Sequence, residues 1–83
     1  MKVKGIFNIM GKGWVLACEG DFEKLHIGDE VEVKDKDILF LISGYGVIPG
    51  HKNIELILSP NDSVKEFVEI GDELIFDSKL SSL

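Results

Sequence analysis

Ile6-Phe7-Asn8-Ile9-Met10-Gly11-Lys12-Gly13-Trp14-Val15-Leu16-Ala17-Cys18-Glu19, followed after a polar turn by Ile27-Gly28-Asp29-Glu30-Val31-Glu32-Val33, is the stretch on which the fold depends. It reads as strand, glycine hairpin, strand, turn, strand. From Lys2 to Ile9 the residues alternate. Val3, Phe7 and Ile9 fall on one side with Gly5, and Lys2, Lys4, Ile6 and Asn8 on the other, the pattern of a half-buried strand. Met10 to Gly13 places glycines where a tight turn needs positive φ. Beyond it, Trp14, Leu16 and Cys18 face one way and Val15, Ala17 and Glu19 the other. Both sides are mainly apolar, which predicts a strand covered on both faces. Glu30 to Lys34 then alternates strictly, with Val31 and Val33 inward.

Working outward, Lys34 to Asp37 is a charged turn. Ile38-Leu39-Phe40-Leu41-Ile42 is apolar on both faces and reads as a central strand. Ser43 to Gly46 ends or bulges it, and Pro49-Gly50 marks a turn. Asn53 to Ser59 is a further strand, broken by Pro60-Asn61-Asp62. Ser63-Val64-Lys65-Glu66 has capping-box spacing and predicts one helical turn near 63–67. Ile70 to Phe76 is the last strand. Ile27-Gly28-Asp29-Glu30 and Ile70-Gly71-Asp72-Glu73 repeat one local device, in which the isoleucine is expected to anchor in the core. Copies this brief read as reused turn geometry rather than as a repeat architecture.

Six short strands separated by glycine-rich turns predict a small, closed, six-stranded antiparallel β-barrel, an all-β fold. Eighty-three residues make one domain, expected over 1–78 with a frayed tail at 79–83. A chain of this size buries about 60–65% of its unfolded surface. The formal charge is −6, every basic residue is lysine, and residues 1–18 hold Lys2, Lys4 and Lys12 with no acid. The other six lysines share the rest of the chain with all fifteen acids. That field repels a polyanion overall while leaving a small basic patch on the first hairpin. The lone Cys18 has no disulfide partner, which points to a reducing cytoplasm. The apolar run 38–42 is far too short to span a bilayer, so no membrane partner is expected.

Residues 6–33 resemble the second domain of elongation factor Tu and related translational GTPases. That family has an apolar-Phe-Ser-Ile opening, a Gly-Arg-Gly hairpin, an apolar strand and a closing Val-Gly-acid-Glu-Val-Glu-Ile. Here these stand as Ile6 to Ile9, Gly11-Lys12-Gly13, Val15-Leu16 and Ile27 to Val33. Ile42-Ser43-Gly44, Asn53 to Leu58 and Ile70 to Ile75 are similar to its later strands. The resemblance implies a translation-protein barrel without its GTPase domain. Such a barrel docks on a protein, on the ribosome or on aminoacyl-tRNA and holds no chemistry. Asn53 falls at the position similar to an asparagine bordering the family's aminoacyl pocket. Lys12 stands where the family has its hairpin arginine, and the family's adenosine-binding acid falls near Gly46.

The residues themselves assemble no catalytic constellation. Gly5 to Gly13 lacks the spacing, the hydroxyl residue and the helix of a phosphate-binding loop. His26 and His51 have no cysteine at ligand spacing. Cys18 reads as a small buried apolar residue. Glu30 and Glu32 read as a solvated strand face. Trp14 reads as core or as a contact anchor at the barrel mouth, and Tyr45 between glycines as an exposed aromatic. The reading is therefore a non-enzymatic binding module without metal or cofactor. Lys12, Trp14, Tyr45 and Asn53 are its candidate binding residues and another protein is its expected partner. The alternative is a translation-linked module that binds ribosome or tRNA. Several two-sided apolar strands also allow a homodimer.

Overall fold

The computed structural model describes residues 1–20, 25–47 and 53–77, which form one six-stranded antiparallel sheet with a short helix. The strands are β1 (Lys2–Ile9), β2 (Gly13–Glu19), β3 (Glu30–Val33), β4 (Leu39–Val47), β5 (Asn53–Ser59) and β6 (Leu74–Asp77). They lie in the order β1-β2-β5-β4-β3-β6. A 3₁₀ turn, Asn61–Ser63, runs into the helix α1 (Val64–Phe67). The expected Pro49-Gly50 turn, His51 and the tail at 79–83 lie outside the described residues. No described helix is long and apolar enough to cross a membrane.

The core follows the alternation. Val3, Leu16, Cys18, Val31, Val33, Phe40, Ile42, Ile54, Leu56, Leu58 and Leu74 are buried together, with Val64 of α1 closing over them. The helix was expected near 63–67 and stands there, but its start differs: Ser63 has helical backbone angles and makes no side-chain cap hydrogen bond. A 3₁₀ turn already leads the chain in, so the capping box is not needed. β4 is central as expected, yet Leu39 and Leu41 are exposed while Phe40 and Ile42 are buried.

The face assignment along β1 needs correcting. Val3 is buried and Ile6 packs on the core, but Phe7 is 55% exposed and Ile9 is exposed as well. The cause is a β-bulge. The register with β2 shifts between Val3 and Gly5, so Lys4 is an extra residue and the alternation changes phase after it. Ile6 thereby takes the inward place expected of Phe7. β4 carries the same irregularity between Ile42 and Gly44. Its extra residue, Ser43, donates its hydroxyl to Ile57 O at 3.0 Å.

Ile27 and Ile70 also depart from expectation: they are 60% and 68% exposed, not core anchors. The anchors are Leu25 and Val68, each three residues before the turn glycine. Gly28 and Gly71 have φ of 94° and 99°, a conformation that costs glycine little. Asp29 N–H donates to His26 O, and Asp29 Oδ2 accepts from His26 N–H at 3.0 Å. Asp72 and Glu69 do the same, with the carboxylate bond at 2.8 Å. Gly28 N–H donates to Ile42 O and Ile42 N–H to Asp29 O. Gly71 N–H donates to Val3 O and Val3 N–H to Asp72 O in the same way.

The correspondence extends well beyond the turns. Val3↔Cys18, Gly5↔Ala17, Ile6↔Leu16 and Phe7↔Val15 pair β1 with β2. Their images, Ile42↔Leu58, Gly44↔Ile57, Tyr45↔Leu56 and Gly46↔Glu55, pair β4 with β5. The β3–β4 pair Glu30↔Leu41 has its image in the bridge Glu73↔Lys2. The chain is thus two β-strand triplets, β1-β2-β3 and β4-β5-β6, related by a pseudo-two-fold. The axis passes through the pairs Leu16↔Leu56 and Glu32↔Ile75. The reading of reused turns alone is too narrow.

The ladder does not close fully. β1 and β6 meet through one isolated bridge, Lys2↔Glu73, flanked by backbone bonds from Val3 to Asp72, from Gly71 to Val3, and between Met1 and Leu74. The seam is short because residues 69–72 are taken up by the turn, which leaves Glu73 and Leu74 opposite Met1 and Lys2. Lys36 ties the charged turn to α1 and to the second Gly-Asp turn. Its Nζ donates to Phe67 O at 2.6 Å and to Asp72 Oδ2 at 2.8 Å. Burial pushes the Asp72 carboxyl up, but the Lys36 and Glu69 hydrogen bonds and the Lys36 charge outweigh it, so it titrates below the usual range.

Candidate docking surface

The outer face of β1, β2, β5 and β4 carries the features that the core does not use. The bulge at Lys4 turns Phe7 and Ile9 outward, and Met10 at the hairpin tip is fully exposed. Val15 is buried but stands apart from the main core, on the opposite face of β2 from Leu16 and Cys18. Its cross-strand partner is Phe7. The Phe7 ring lies over Gly5: a Cβ there would be 2.7 Å from Phe7 Cε2 and 3.6 Å from Ala17 Cβ. Glycine at position 5 is thus a seat for the ring, the arrangement by which an aromatic side chain covers a strand glycine.

Beside this seat is a cleft of about 80 Å³, lined by Lys12, Val15, Tyr45, Gly46, Glu55 and Ile57. Two of the sequence candidates, Lys12 and Tyr45, meet there. Trp14 and Asn53 do not line it. Trp14 packs against the core with Lys65 Nζ 5.0 Å from its ring centroid, a cation–π contact. Its backbone is held by Asn61, whose Oδ1 accepts from Trp14 N–H at 2.8 Å and whose Nδ2 donates to Trp14 O at 3.0 Å. Asn53 is half-buried at the start of β5, paired with Glu19.

Sequence reading overlooked Phe7 as a surface residue, and Val15, Gly46, Glu55 and Ile57 as cleft residues. The available signal was the apolar-X-Gly pattern in Val3-Lys4-Gly5 and Ile42-Ser43-Gly44, which marks both bulges. Elsewhere the chemistry is quiet. Burial pushes the Cys18 thiol up to about 12, so it is not a nucleophile near neutral pH. No group of three or more His, Cys, Asp or Glu among the described residues is placed to hold a metal ion. A hollow lined by Glu30, Glu32, Lys36, Asp37, Ile38 and Leu39 is shallow, with Glu32 exposed and Glu30 half-buried. Lys4 Nζ lies 3.9 Å from Glu19 Oε2, a surface pair of small energetic value. Comparison with protein-family models, with curated proteins and with solved structures returned no match.

Proposed function

We propose that this chain is a non-catalytic docking module that binds a protein partner through the outer face of β1, β2, β5 and β4. The observation that carries this reading is the exposed run Phe7, Ile9 and Met10 beside an open cleft. Aromatic residues and methionine are enriched where proteins meet. An apolar surface of this kind on a strand face signals a contact when it is contiguous and rimmed by charge. Here the charged groups are Lys12 and Glu55, which line the adjoining cleft. On this reading the sheet curls into a six-stranded barrel of the translation-protein type, closed at the Lys2–Glu73 seam, and works in the cytoplasm. The short seam and the matched ladders support that geometry.

The test is quantitative affinity capture with the folded protein, comparing the native chain with Phe7→Ser and Met10→Ser. A partner recovered by the native chain and lost by both variants supports the reading. Equal recovery by all three rejects it. Gel filtration with light scattering identifies the case in which the partner is a second copy.

A second reading, a translation-linked RNA-binding module, is favoured by the acid-free segment 1–18 with Lys2, Lys4 and Lys12, joined by Lys65 over Trp14. It predicts co-sedimentation with ribosomes, or tRNA retention, that weakens steeply with salt. Failure to bind either at low salt rejects it.

A further inference from the structure

We infer that the open edge of β1 takes up an extended segment of the protein partner as an added strand, and that this segment is apolar at its centre and acidic at its ends. The inference rests on the docking reading and adds what the partner presents and how it is held.

Only the start of β1 is paired on both sides. Val3 N–H donates to Asp72 O and Val3 O accepts from Gly71 N–H, so the Val3 backbone faces away from β2. The chain then turns at residues 69–72. Among the described residues, no ladder, bridge or backbone bond reaches β1 from that side beyond Val3. The direction of the later groups follows from β2. Trp14 N–H and Trp14 O are both bonded to Asn61, which follows β5 on the side of β2 away from β1. The pair Asn8↔Trp14 therefore exchanges no ladder bonds, and the N–H and C=O of Asn8 point outward from the sheet edge. Alternation gives Ile6 the same direction. Two donors and two acceptors thus stand in a row, a template for another strand.

Natural sheets blunt such edges with charge or proline. Residues 5–11 hold neither. Instead Phe7 and Ile9 are exposed beside the edge, and Met10 follows at the hairpin tip. In an added strand, the residue opposite Phe7 forms a close pair with it outside the hydrogen-bonded rungs, which suits an apolar side chain. Exposed lysines bracket the stretch, Lys4 before it and Lys12 after it. The contact of Lys4 with Glu19 is 3.9 Å long and exposed, and Glu19 lies on β2, away from the open side. Because both ends of the stretch are basic, acidic ends on the partner match it in either strand direction. The same charge disfavours a second copy of this chain. Joining two β1 edges brings together two sets of Lys2, Lys4 and Lys12 from segments that hold no acid.

The test titrates the isotope-labelled full chain with a blocked hexapeptide, acetyl-Glu-Val-Thr-Val-Thr-Glu-amide. Two control peptides carry lysine in place of glutamate, or N-methyl groups on the four central amides. Saturable shifts and slowed hydrogen exchange at the Ile6 and Asn8 amides are expected with the first peptide, clearly weaker effects with the lysine peptide, and none with the methylated one. Lys12→Ala should weaken the first peptide about threefold, the size of an exposed ion pair. Asn8→Pro removes one outward donor, a replacement that an edge strand tolerates, and should abolish capture of the partner. The methylated peptide decides the matter if that variant does not fold. Shifts that do not saturate, that are equal for the glutamate and lysine peptides, or that persist with the methylated peptide overturn the inference. So does protection of the same amides by hexauridylate, or by raising the concentration of the chain alone, which would make the occupant RNA or a second copy. A partner lost with Phe7→Ser yet retained by folded Asn8→Pro removes strand addition and leaves the docking reading standing.

Discussion

Replacing Asn61 with alanine should cost this fold about 3 kcal/mol, because one side chain does the work of a missing strand. Asn61 follows β5 and reaches back to β2. Its amide accepts from Trp14 N–H at 2.8 Å and donates to Trp14 O at 3.0 Å and to Leu58 O at 3.2 Å. It thus pairs with Trp14 as a neighbouring β-residue would. Each such bond contributes about 1 kcal/mol net, and a partly buried backbone group left without a partner costs somewhat more. Three bonds give about 3 kcal/mol, a large share of the roughly 4–12 kcal/mol expected for a domain of this length. Urea unfolding followed by Trp14 fluorescence and by circular dichroism measures it, with the midpoint falling and the slope unchanged. Asn61→Asp keeps the acceptor but sets a carboxylate oxygen against Trp14 O and Leu58 O, so it should be no more stable than Asn61→Ala at neutral pH. A destabilisation below about 0.5 kcal/mol for Asn61→Ala would refute the reasoning, since that is the level of an ordinary surface substitution.

Further outcomes follow from the same contacts. Gly13→Ala places a methyl group against Asn61 Oδ1 at a residue with φ of 83°, so it should cost at least about 1 kcal/mol in the same unfolding assay. Cys18 should resist alkylation in the native state near neutral pH and react at a rate set by unfolding. Its folded pKa of about 12 lies above the ordinary 9.0, so its contribution is full below pH 9 and is lost as pH rises toward 12, which an alkaline unfolding series with Cys18→Ala would show. Asp72 has the opposite sign. Its folded pKa lies below the ordinary 3.8, so its contribution is full above that value and is lost as pH falls through the folded pKa. Asp72→Asn should therefore be less stable than the native chain by about 1 kcal/mol at pH 7, with the difference vanishing at strongly acid pH in an acid-titrated melt.

The strands were legible in the sequence because each carries a period-two pattern with a turn residue at its end. Asn53 to Ser59 and Glu30 to Val33 needed nothing else. The faces were less legible. Alternation counts residues, and a bulge adds one without changing composition, so Phe7 was read inward although Lys4 had shifted the phase. Ile27 and Ile70 misled for a related reason. An isoleucine before Gly-Asp looks like an anchor, but the Asp side chain and the glycine build a tight turn that turns it outward, and Leu25 and Val68 anchor instead. The candidate site was half legible. Lys12 and Tyr45 share the cleft, whereas Val15, Glu55 and Ile57 reach it only through the β2–β5 pairing, a long-range register that no local pattern encodes. The role of Asn61 was hidden in a strand-breaking tripeptide, where asparagine is expected for turn chemistry alone.

Photocrosslinking from a single position tests the docking claim most directly. A benzoylphenylalanine replacing Phe7 on the proposed face, and another replacing Leu39 on the exposed face of β4 next to β3, would be irradiated in extract from the source cells. The account predicts a discrete crosslinked species from position 7, suppressed by excess unlabelled native chain, and none from position 39. A discrete, competable species from position 39 with none from position 7 would contradict it.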